Sequence, residues 1–163
     1  MTDLTDKQKT EYFRRSYLAA DGLWFMKIEE DYGFETALKI DEAVWNVLPK
    51  IQSRIIKAMM NLENGLDGLE QAVAARLALE GFGFELERDK GSIVVIIRKC
   101  PWHDLLLKSG RENISERVGN LICEVENSMW ASEFGESGSD EIRFQREEGI
   151  CKGAERCMLR FSK

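Results

Sequence analysis

Apolar side chains recur along this chain with two different periods, and the change of period falls at Gly81. Residues 5–80 follow helical spacing. Asp6 is the expected cap of a first helix carrying Tyr12, Phe13, Tyr17 and Leu18, with an interruption expected at Asp21-Gly22. Leu23, Trp24, Phe25 and Ile28 continue the pattern to Asp31-Tyr32-Gly33. A longer helix is expected from about Phe34, kinked or broken near Pro49, which lacks a backbone donor. Ile51, Ile55, Ile56, Met59 and Met60 resume the stripe. Asn64-Gly65 predicts a turn, and a further helix runs from about Asp67 to Glu80, with Gly81 as its stop.

After Gly81 the period becomes two. Phe82, Phe84 and Leu86 alternate with Gly83, Glu85 and Glu87, and Ile93–Ile97 is rich in β-branched residues. Strands are expected near 82–88, 92–99, 141–147 and 155–162. Between them the pattern predicts a short helix over Trp102–Lys108 started by Pro101, a second from Ser115 to about Trp130, and a loop over Gly135–Ser139. The order predicts one α+β domain over 1–163. Its helical N-terminal half, 5–80, packs on a four-stranded antiparallel sheet with a helical insert, and residues 82–163 supply the sheet and a cysteine site.

Charge narrows the function classes. The net charge is -6, which opposes binding to nucleic acid or an anionic membrane surface. No apolar run approaches the roughly 20 residues that span a bilayer. The polar start MTDLTDKQKTEYFRR lacks an apolar signal core, so a cytoplasmic protein is expected. The helical front carries more apolar periodic surface than one small sheet needs, which predicts a homodimer.

The candidate chemistry lies between Cys100 and Cys157, a stretch holding all four cysteines and the single histidine. Four thiols satisfy a zinc or an iron–sulfur site by count, and they are equally read as small buried core residues. Cys123 lies off the helical stripe formed by Ile114, Val118, Leu121, Ile122, Val125 and Met129, on the side of Asn127 and Trp130. A cysteine placed only to fill the core belongs on the stripe. Cys157 shares a strand face with Leu159 and Phe161, Cys100 sits at a strand-to-helix junction, and Cys151 lies in the loop before the last strand. The expected metal ligands are therefore Cys100, Cys123, Cys151 and Cys157, with Trp102, His103 and Trp130 beside the bound group. A 4Fe–4S cluster is favoured over zinc because no close cysteine pair of a zinc knuckle is present; zinc, or no metal, is the alternative. His103 is read either as a ligand or proton shuttle or as an exposed first-turn residue. The acidic residues Glu124, Glu126, Asp140 and Glu141 are read as solvated charges among which a general base has a place. No Walker loop, G-x-G-x-x-G, H-E-x-x-H or G-x-S-x-G occurs.

The segment Glu148–Phe161 resembles the closing signature of 4-vinyl-reductase-type small-molecule-binding domains and of the L-2-amino-thiazoline-4-carboxylic acid hydrolase-like family. Gly153 and Cys157 match that signature, and Ala154 replaces its acid. Cys100-Pro101 and Cys123 look like the earlier cysteines of the hydrolase-like family, and Trp24 to Trp45 looks like the helical front of some of its members. The resemblance implies either a domain that binds a small-molecule ligand or metallocofactor, or a hydrolase of a C–N or C–S bond acting through a cysteine or a metal-bound water. The missing acid at Ala154 tilts the expectation toward binding.

Overall fold

The computed structural model describes residues 3–136 and 141–163. Among them are six α-helices and four strands. The helices are α1 (Asp6–Tyr32), α2 (Phe34–Trp45), α3 (Leu48–Met60), α4 (Leu66–Glu80), α5 (Pro101–Lys108) and α6 (Glu112–Phe134). The strands are β1 (Gly83–Asp89), β2 (Ser92–Lys99), β3 (Arg143–Glu148) and β4 (Cys157–Ser162). The fold is α+β with a helical N-terminal half and one four-stranded antiparallel sheet. Residues 137–140, which include part of the expected loop and Asp140, lie outside the described residues.

Local chemistry explains where the helix limits differ from expectation. Thr5, not Asp6, caps α1: its hydroxyl accepts from the Gln8 amide, and Gln8 Oε1 accepts from the Thr5 amide at 2.8 Å. The interruption expected at Asp21-Gly22 does not occur, because Leu18, Asp21, Phe25 and Ile28 keep one inward face through it. The break near Pro49 falls at Asn46-Val47, and Pro49 is buried in the first turn of α3, where an amide has no helical partner to lose. Helix α6 begins three residues before Ser115.

The strand order is β1-β2-β4-β3, every pairing antiparallel. Asp89 pairs with Ser92 across Lys90-Gly91, where Gly91 supplies the positive φ of 80° that the tight turn needs. Ile93, Val95 and Ile97 of β2 join Leu159 and Phe161 of β4 in the main core, closed from above by Leu69, Val73 and Leu77 of α4 and by Trp130 and Phe134 of α6. Val94 and Ile96 face the other way and are still buried; their cross-strand neighbours there are Glu87 and Glu85 on β1 and Arg160 and Met158 on β4. The aliphatic stems of those neighbours cover the second face while their polar ends reach water. A smaller apolar cluster of Phe25, Ala37 and Leu38 joins α1 and α2 and receives Val118 and Leu121 from α6.

Helix α6 is thus inward on two sides. The stripe read from the sequence is only half-buried, while the fully buried side carries Ser115, Glu126, Asn127, Trp130, Ala131 and Phe134. No described helix is long and apolar enough to cross a membrane. Val47, Ile51, Ile55 and Met59 form an exposed stripe along α3.

Gly68 offers a test of the packing. A Cβ there collides with the Glu63 carbonyl oxygen and approaches Phe134. Helix propensity alone makes Gly68→Ala stabilising by about 1 kcal/mol. The structure makes it destabilising by roughly 1–3 kcal/mol, measured as a lower midpoint in urea at unchanged slope.

Candidate functional site

The antiparallel pairing of β2 with β4 sets the end of one strand beside the start of the other: Ile97 faces Cys157, and Cys100 follows three residues on. Helix α6 crosses this end of the sheet and brings Cys123. The short 3₁₀ turn Ile150–Lys152 brings Cys151 against Gly119, where a Cβ would lie 2.9 Å from the Cys151 sulfur. The four thiols, spread over 58 residues of sequence, line one cavity of about 110 Å³, and all are free.

Each thiol has a distinct setting. Cys100 caps α5, with the backbone amides of Trp102 and His103 directed at its sulfur. Burial nonetheless pushes its pKa up to about 12, and the neighbouring Cys157 and Glu126 add to the rise. Burial likewise pushes the Cys123 thiol up, reinforced by Glu126 and Cys100, with Arg146 pulling the other way. The Cys157 thiol is raised by burial although it accepts from the Ile150 amide at 3.2 Å. Arg146 of β3 closes the cavity: it donates to the Gly119 carbonyl at 3.0 Å, to the Asn120 side chain and to the Cys151 sulfur at 3.6 Å. Asn127 donates to the Cys123 carbonyl at 2.7 Å and faces its sulfur at 3.8 Å. Among the described residues, no three His, Cys, Asp or Glu side chains are arranged to hold a metal ion.

The other expected site residues divide. Trp102 and His103 line the thiol cavity, and His103 is half-buried with Nδ1 2.7 Å from the Ser115 hydroxyl, so it is not an exposed first-turn residue. Trp130 is not among the residues lining it; its ring stacks on Phe134 at 6.5 Å in the main core. Glu126 is buried against Arg76, contrary to the reading of a solvated charge, whereas Glu124 and Glu141 are exposed.

A second, apolar chamber of about 400 Å³ opens between α1, α5 and the first half of α6, lined by Leu18, Gly22, Phe25 and Leu105 among others. It shares Asp21, Asp41, Trp102, Leu106 and Val118 with the thiol cavity. The two spaces therefore adjoin, with the carboxyl groups of Asp21 and Asp41 in the walls of both. Burial raises Asp21 to about 6 and Asp41 to about 7, the second also through repulsion by Asp21. The Trp45 indole N–H faces both and holds each back. Trp45 in turn meets Trp102 edge to face, centroids 5.6 Å apart, as does Tyr17 at 5.5 Å.

Behind Trp102 lies a buried charge set that the sequence reading passed over. Arg76 of α4 is 3% exposed, ion-paired to Glu126, hydrogen-bonded to Asn127 and stacked 5.2 Å over Trp130. Burial works against its charge, and Glu126 and Glu80 outweigh that effect. Glu80, one turn further on, has no hydrogen-bond partner on either oxygen. Burial lifts it to about 8 against the pull of Arg76, with Glu126 adding to the rise. Arg76 and Glu80 stand at core positions among Leu69, Val73 and Leu77, and charges on an apolar face were the signal available.

These carboxyls set a pH dependence. Native Asp41 keeps its proton up to about 7, whereas the unfolded chain releases it near 3.8. The native state therefore binds more protons across that window, and stability falls as pH rises from about 4 to about 7. Asp21 acts in the same sense up to about 6. Asp41→Asn is expected to flatten this slope and to raise the melting temperature at pH 8 by roughly 2–4 °C, read from melts between pH 4 and 9.

No curated protein matches the chain. A family model does, over residues 7–133, from the first turn of α1 to the last turn of α6. The matched region includes Asp21, Asp41, Arg76, Glu80, Cys100, Cys123 and Glu126, and ends before Cys151 and Cys157. The chain belongs to DUF6125, a family of unknown function.

Proposed function

We propose that the protein is a small-molecule-binding domain. Its ligand lies in the chamber between α1 and α5 and reaches past Asp21 and Asp41 toward the thiols. The observation that carries this reading is that the two spaces adjoin, with five wall residues in common. A volume of about 400 Å³ falls in the range of pockets for small organic ligands. Its apolar walls favour an apolar body. The carboxyl pair, partly protonated near neutrality, favours a head group that exchanges hydrogen bonds without needing a full opposite charge. In the hydrolase alternative the same pair is the acid–base couple.

Four thiols on one cavity support a second reading, in which Cys100, Cys123, Cys151 and Cys157 hold a metallocofactor, a 4Fe–4S cluster or zinc, once their side chains move from positions that as they stand do not group for a metal ion. Binding would release the protons that burial keeps on Cys100, Cys123 and Cys157.

Gly22 separates these readings from a structural role. It sits in the chamber wall with Leu105 3.6 Å from the position of a Cβ, so a leucine there fills the chamber from within a continuous helix. Wild type is expected to bind an anilinonaphthalene sulfonate dye with a blue-shifted emission, and Gly22→Leu to lose at least tenfold in affinity while melting cooperatively. Equal dye binding by the two proteins would sink the chamber reading. Iron, sulfide and zinc analysis of anaerobically purified protein tests the second reading, which fails if all three are absent.

A further inference from the structure

A groove of about 430 Å³ runs between α1, α3 and α4. Its walls are apolar and open to water: Phe13 is 68% exposed, Ile55 51%, Met59 81% and Leu79 54%. Its floor is polar and dry, made by Tyr17, Gln52, Arg76 and Glu80. Glu80 is more than nine-tenths buried, with neither carboxyl oxygen hydrogen-bonded. Gln52 Oε1 is also without a partner, its amide nitrogen lying 3.4 Å from the Tyr17 hydroxyl. The floor thus holds three acceptor atoms without a hydrogen bond in place; of the nearby donors, Arg76 is paired to Glu126 and Asn127, and the Trp102 indole approaches Glu80. With Glu80 protonated the charges of Arg76 and Glu126 balance, and an ionised Glu80 leaves the floor one positive charge short. Arg14 at the rim does not fill that place, because its guanidinium is engaged by Glu11 at 3.0 Å through Nε.

We propose that this groove binds a primary ammonium carried on an apolar chain, with the ammonium on Glu80 and Gln52 and the chain along Phe13, Ile55, Met59 and Leu79. An ammonium brings three donors for those acceptors and the one charge that an ionised Glu80 needs. An alcohol brings one donor and no charge, and a carboxylate adds a like charge. The groups that face Glu80 are Arg14 and Tyr17 from α1, Gln52 from α3, Arg76 from α4, Trp102 from α5 and Glu126 from α6. Below about pH 8 Glu80 carries a proton, so binding displaces it: the carboxylic acid and the ammonium give a carboxylate–ammonium pair and a free proton. Binding therefore tightens as pH rises toward 9, while an alkylammonium, with an ordinary pKa of roughly 10.4, keeps its charge.

The probe is octylamine, with octan-1-ol and octanoate as controls, followed by titration calorimetry on the full chain. Octylamine is expected to bind at least tenfold tighter than octan-1-ol at pH 9, with octanoate weaker still. At pH 7 the heats in two buffers of different ionisation enthalpy should differ by a released proton. Glu80→Gln should lose at least tenfold in octylamine affinity together with the pH dependence. Met59→Lys, at an exposed site that leaves the fold intact, should weaken binding by placing a cation at the groove mouth. Gly22→Leu should bind octylamine as wild type does, which separates this groove from the α1–α5 chamber. The proposal is overturned if octylamine binds no tighter than octan-1-ol or not at all, or if Glu80→Gln binds like wild type. It is equally overturned if Gly22→Leu abolishes binding. Light scattering that shows a dimer dispersed by Met59→Lys would assign the groove to a second copy of the chain and also overturn it.

Discussion

One guanidinium, that of Arg76, is buried beside two carboxyl groups; it lines the α1–α3–α4 groove, and its partner Glu126 lines the thiol cavity. A buried charge is tolerated only with partners, and a set in which one partner is lost costs about 3–5 kcal/mol. Arg76 comes from α4 and Glu126 from α6, so the pair fixes the register of those two helices under the sheet. Asn127 and the face of Trp130 complete the cation's surroundings from α6. Glu80 is left with no direct partner, and the physical response is to keep it protonated. The same helix therefore supplies the cation of a buried ion pair and, one turn on, an acid without a hydrogen bond. The thiol cavity borrows its wall from Glu126, and the α1–α3–α4 groove takes its floor from Glu80.

The thiols feel this charge set directly. Glu126 raises Cys123 and Cys100 on top of the effect of burial, while Arg146 opposes it at Cys123. The balance leaves those sulfurs protonated near neutral pH. A cavity lined by the protonated sulfurs of Cys100 and Cys123 and flanked by carboxyls that titrate near 6 and 7 is polarizable. It suits the end of a neutral ligand better than that of an anion, and a soft metal would have to displace protons to enter. The amides at the start of α5 oppose burial at Cys100 without overcoming it.

The sequence made part of this legible. The change of period at Gly81 separates helices from strands because side-chain direction repeats every 3.6 residues in one and every two in the other. All four expected strands occur, with ends shifted by one or two residues where caps and bulges decide the limits. Cys123 was found because it stands off an apolar stripe. Trp130, on the same side of α6, is seven residues further on, about 10 Å along the axis, and that rise carries it out of the cavity into the core. Asp21 was hidden because Asp-Gly is a turn signal when read locally, whereas here the helix is held by the faces it packs. Asp41 sits on the Ala37–Leu38–Trp45 face of α2, and Arg76 and Glu80 on the Leu69–Val73–Leu77 face of α4. Polar residues at core positions do not reveal their partners, which come from helices far away in sequence.

The account stands or falls on buried carboxyl groups that hold their protons near neutrality. Carbon-13 NMR of the aspartate and glutamate side-chain carboxyls, titrated from pH 3 to 9 and assigned through Asp21→Asn, Asp41→Asn and Glu80→Gln, measures this directly. The account predicts three carboxyls that titrate well above the rest, near 6, 7 and 8, each lost in its own variant. Titration of all three with the exposed carboxyls, near 4, would contradict it.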